Sequence, residues 1–175
     1  KYNQRNSKKM KLKQVPYLCV LLLSVGCGIY SFTGGDTGNA KTLQIDFFPN
    51  NAPLIEPGLS QSFTQALQDL FIRQTNLNLV KTKGDLFFEG EITNYTITPM
   101  TSTANQTAAQ NRLTIVINVR FYNNLEEDKS FEKRFTHFYD YPANDILSGS
   151  NLDSAFEEIF ERITQDIFNA SVANW

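Results

Sequence analysis

The chain is 175 residues long, about one domain's worth of sequence, with 41% hydrophobic residues, 16 basic and 18 acidic side chains and one histidine. Six of the basic residues, Lys1, Arg5, Lys8, Lys9, Lys11 and Lys13, precede every acid, so a chain cut after residue 26 keeps 10 basic against 18 acidic residues, a net charge of −8. That balance excludes nucleic acid as a general partner and gives no broad attraction to anionic lipid.

In chain order, basic residues come first, then a short apolar run from Val15 to Leu23, then Ser24-Val25-Gly26-Cys27. These are the parts of a secretory signal peptide. The run is far shorter than the roughly 20 residues a helix needs to cross a bilayer. Met10 is expected as the natural start, so residues 1–26 read as an upstream extension plus a lipoprotein signal peptide. The small-small-Cys ending resembles the lipobox of bacterial lipoproteins, with Ser24 where that family prefers Leu. The resemblance implies cleavage before Cys27, a diacylglycerol on its thiol and further acylation, with palmitate-type chains, of the new amine. Two or three chains anchor stably, at about 0.8 kcal/mol per buried methylene. Cys19 would leave with the signal peptide, and the remaining chain has no cysteine besides Cys27. A disulfide framework and a zinc–cysteine site are therefore not expected.

Residues 27–40 read as the lipidated N-terminus and a flexible tether, because Ser31–Asn39 is rich in Gly, Ser and Thr. Residues 41–175 read as a single domain. Thr42–Phe48 alternates, with Leu43, Ile45 and Phe47 predicted on one face of a strand. The stripe Leu59, Phe63, Ala66, Leu67, Leu70 and Phe71 predicts an amphipathic helix, with Ser60 or Ser62 as cap and Ser62 with Gln65 as a capping box. Leu77–Val80 is a short strand, and Thr82-Lys83-Gly84 a turn. Asp85–Pro99 is a long strand whose apolar parity switches after Asn94, which predicts a bulge near Thr93. Arg112–Tyr122 alternates throughout, Asn123–Asp128 is a polar turn, and Ser130–Tyr141 is the returning strand. Leu152, Phe156, Ile159, Phe160, Ile163 and Ile167 mark a final helix with an acidic start. The expected fold is α+β: a two-layer sandwich with two helices on one face of a mostly antiparallel four- to five-stranded sheet.

Catalytic constellations are sparse. His137 alternates as a sheet residue should, and a lone histidine is usually structural. Glu89 and Glu91 share a strand face and could form a carboxylate pair, though a solvated face is the plainer reading. A hairpin centred on Asn123–Asp128 places Arg120 opposite Glu132 and Arg112 opposite Asp140, as cross-strand ion pairs. The same register leaves Lys133 and Arg134 without an acid opposite, so they are candidate phosphate contacts. Pro99–Gln110 is a long, uncharged polar loop, a length often reserved for function.

Several segments then carry a family resemblance. Lys41–Leu67 (KTLQIDFFPNNAPLIEPGLSQSFTQAL), Gly84–Pro99 (GDLFFEGEITNYTITP), Asn111-Arg112-Leu113, Gly28–Phe32 and the ending Val172-Ala173-Asn174-Trp175 are similar to the LptE lipopolysaccharide-assembly lipoproteins of the Bacteroidetes type. The resemblance implies a non-enzymatic subunit of the lipopolysaccharide translocon, anchored by lipid on the periplasmic side of the outer membrane. Its implied partners are lipopolysaccharide and an LptD-type β-barrel, with no cofactor and no metal. Arg112, Lys133 and Arg134 are the candidate lipopolysaccharide contacts. The alternative is a periplasmic lipoprotein that binds an apolar ligand without a barrel partner.

Overall fold

A computed structural model describes residues 35–100 and 109–173. Cys27, the leader, the tether up to Gly34 and the terminal Asn174-Trp175 lie outside the described residues, as does the loop stretch 101–108.

The elements are β1 (Thr42–Ile45), α1 (Leu59–Gln74), β2 (Asn78–Leu79), β3 (Leu86–Met100), β4 (Gln110–Asn123), a 3-10 turn (Glu127–Lys129), β5 (Phe131–Pro142) and α2 (Ser150–Val172). The five strands form one sheet in the order β2-β1-β3-β4-β5. β1 runs parallel to both β2 and β3, and the β3-β4-β5 meander is antiparallel. Both helices pack on one face of the sheet, which is the expected α+β arrangement. The bulge falls between Ile92 and Asn94, and the Thr93 hydroxyl donates to the Val116 carbonyl at 3.3 Å.

The core explains why these segments take these forms. Alternate residues of β4, from Leu113 to Phe121, are buried, and so are the helix positions Phe63, Leu67, Phe71, Ile159, Ile163 and Ile167. Rings bridge the layers: Phe71 lies 4.9 Å from Phe88 on the sheet and 5.1 Å from Phe168 on α2, centroid to centroid. Each such ring contributes about 1.5–3 kcal/mol by leaving water.

Three expectations are corrected here. β1 ends at Ile45, and Phe47 is 61% exposed while Phe48 is fully buried. The chain leaves strand geometry after Ile45, so the alternation that would bury Phe47 breaks. Phe48 instead packs edge-on to Phe63 at 5.2 Å and lies on Gly90, whose missing side chain makes the space. Secondly, α1 starts at Leu59, so Ser60 and Ser62 are helical residues and no capping box forms. The N-cap is Gly58, at φ 81°, where a side chain would be strained. Burial of Leu59 draws the helix start one turn towards the N-terminus of the proposed box. Thirdly, β3 and β4 stay paired out to Met100 and Gln110, so the intervening loop is shorter than Pro99–Gln110.

Candidate functional site

The helices cover one sheet face, and the other is open. On that open face Arg120, in the central strand, sits between acids. Its Nε donates to Glu89 Oε1 at 2.9 Å, and its guanidinium lies 2.9 Å from Glu91 Oε2. Tyr122 Oη donates to Glu89 at 3.1 Å. Asn118 Nδ2 donates to Glu91 at 3.0 Å and to Glu132 at 2.7 Å. The network thus spans β3, β4 and β5. The Arg120 hydrogen bond holds the Glu91 carboxyl below its ordinary value, and the two acids push Arg120 up. The expected Arg120–Glu132 pair does not form, although the register places them opposite each other. Arg120 also lies directly across from Glu89 on its other neighbour, and two acids on β3 outweigh one on β5. Glu89 and Glu91 are bridged by the single guanidinium of Arg120, which bonds to both.

Further along, Arg112 meets Asp140 as the register predicts, through two parallel bonds of 2.7 and 2.8 Å. The guanidinium also lies 3.6 Å from the centre of the Phe138 ring. Asp140 is held below the usual carboxylate range by Arg112. Lys133 and Arg134 fall opposite Val119 and Asn118, as expected. Consecutive strand residues point to opposite faces. Arg134 therefore lies on the open face and Lys133 on the helix side, 5.2 Å above the Phe135 ring. Arg112, Lys133 and Arg134 occupy three separate surroundings and do not form one patch. His137 Nε2 meets Asp166 Oδ2 at 2.8 Å, a tie between β5 and α2 that no local pattern signals.

The two ends of the domain differ. At one end the described chain enters, with Gly35 against Phe168 and Val172 near the end of α2. At the other end, β3 turns into β4 and both helices begin. Leu54, Ile55, Ile97, Met100 and Ile146 are exposed there, Ile55 and Ile146 by 77% and 78%. Tyr95 sits beneath this tip, its phenol pushed up to about 12 by burial and by nearby Glu56. Two surface grooves, one between β5 and α2 and one between α1 and α2, are lined mostly by charged and polar side chains. Among the described residues no cluster could hold a metal ion, and no helix is long and apolar enough to cross a membrane.

The fold and site define a small α+β domain with an aromatic core, a charged hydrogen-bond network on its open sheet face and, among the described residues, exposed apolar side chains at one end. The chain belongs to the LptE family, described as lipopolysaccharide-assembly, and the match covers residues 40–171. No curated protein matches the chain. Among solved structures, a hypothetical protein from Chlamydia trachomatis is 13% identical at a TM-score of 0.51, covering 77% of this chain and 99% of that one. A protein from Xanthomonas campestris is 12% identical at a TM-score of 0.50, covering 74% and 84% of the two chains. Rare lipoprotein B from Shewanella oneidensis is 11% identical at a TM-score of 0.41, covering 73% and 89%. At these identities the first two likenesses concern the fold alone.

Proposed function

We propose that this protein is a non-catalytic, lipid-anchored outer-membrane subunit of the lipopolysaccharide translocon. It faces the periplasm, supports assembly of an LptD-type β-barrel and helps lipopolysaccharide pass to the cell surface. The observation that carries this reading is the family match, which runs from Ala40 to Ser171, almost the whole described domain. The polarity of the fold supports it. Gly35 follows Cys27 by eight positions, at most about 28 Å of extended chain. Gly35 itself packs at the end of the domain away from Ile97 and Met100, so the tip that carries those two residues is left to engage a partner. The ion-paired open face also suits the polar interior of an outer-membrane barrel.

The test is co-purification of the tagged full-length protein from detergent-solubilised outer membranes. An LptD-type barrel should be recovered with it in near-stoichiometric amount. Recovery of the chain alone, carrying an apolar ligand, would establish the periplasmic binding lipoprotein instead.

A further inference from the structure

β5 is a free edge of the sheet. Among the described residues it pairs with β4 alone, from Phe131 to Pro142, so one row of its backbone N–H and C=O groups lacks a strand partner. Such a row templates a further strand unless something blocks it. The usual blocks are missing from its middle: the β4–β5 register has no bulge, and Phe135–Tyr139 contains no proline, lysine, arginine or acid. Along this edge, between β5 and α2, runs a groove of about 460 Å³ whose floor is Phe135 and whose walls include Lys133, Arg134, Asp166 and Asn169. Lys133 and Arg134 are exposed, and among the described residues neither forms an ion pair.

The placement of these two cations chooses between ligands. They stand on opposite faces of one edge strand, so a flat anionic surface reaches only one of them. An added strand turns its side chains alternately to the two faces and reaches both. We propose that the β5 edge docks an extended acidic segment of a partner protein, which joins the sheet as a sixth strand. Running antiparallel, the segment reads apolar-acidic-acidic. The apolar side chain enters the groove over Phe135, the next faces Arg134 on the open side, and the third faces Lys133 on the helix side. A second copy of this chain is a poor occupant. α2 packs over β5, tied by His137–Asp166. A two-fold partner strand would bring its own α2 to within about one strand spacing, roughly 5 Å, where packed helices need 8–10 Å. The inference goes beyond the translocon role and does not depend on it.

The probe is a capped, fluorescent octapeptide, Thr-Val-Thr-Val-Glu-Glu-Thr-Val, added to the purified full-length protein in mild detergent at low salt. Saturable binding is expected, with slowed hydrogen exchange at β5 amides. The double variant Lys133→Glu, Arg134→Glu, checked for an unchanged circular dichroism spectrum, should bind at least tenfold more weakly. A peptide with Lys-Lys in place of Glu-Glu should bind that variant and not the wild type. Equal binding of both peptides by the wild type, or no added protection along β5, overturns the proposal. So does a double variant that keeps the acidic peptide but no longer retains lipopolysaccharide aggregates, since the cations then serve an anionic lipid.

Discussion

The Phe48 ring lies against Gly90, and a side chain at residue 90 would collide with both that ring and the Asn118 carbonyl oxygen. One glycine thus couples the segment after β1, the long strand β3 and the central strand β4.

Gly90→Ala should destabilise the domain strongly. One of the colliding groups is backbone, so no rotamer change relieves the clash. Overpacking of this kind costs about 1–3 kcal/mol, and displacing Phe48 from Phe63 adds to it. Urea denaturation should show a lower midpoint. A midpoint equal to wild type would mean that β4 yields more readily than its buried register suggests.

Acid should weaken the fold partly through Glu91. Its folded-state carboxyl lies below the ordinary value, first because of the Arg120 hydrogen bond. A depressed carboxyl contributes stability above its unfolded value, and that contribution is lost as pH falls through the lower folded value. Stability of the wild type should therefore drop below about pH 4.5, the ordinary glutamate value. Glu91→Gln should be less stable at neutral pH and show a shallower acid loss. Parallel pH profiles for the two proteins would remove Glu91 from the account.

Shortening Ser102–Ala109 should leave the domain folded. Met100 and Gln110 are already paired, and surface loops tolerate changes in length. Recovery of the barrel partner should fall, and cells should become sensitive to large antibiotics. Normal recovery and an intact permeability barrier would make the loop a connector only, moving the contact to the sheet or helices.

Cys27→Ala should abolish acyl labelling and release the protein from membranes, because the chain from residue 27 onward has no other thiol. Unchanged labelling with a radiolabelled fatty acid would show that the anchor lies elsewhere.

Much of this architecture was legible in the residues themselves. The alternation in Arg112–Tyr122 and the parity switch at Asn94 are local patterns, and both appear as read, in β4 and in the bulge beside Ile92. The turn after Asn123 set the hairpin register, which brought Arg112 to Asp140. Local signals sufficed there because β5 follows β4 directly, and a hairpin turn fixes its own pairing.

Tertiary structure decided the rest. Arg120 faces an acid on each side, and only the order of strands reveals that β3 supplies two of them. Phe47 and Phe48 are chemically equal candidates for the core, and the hollow at Gly90 chooses Phe48. His137 finds Asp166 because α2 is laid over β5. Periodicity along a chain states which faces are apolar, but the partner of a side chain is set by whichever distant segment packs within a few ångströms. That choice depends on how the whole core fills, and no single segment carries it.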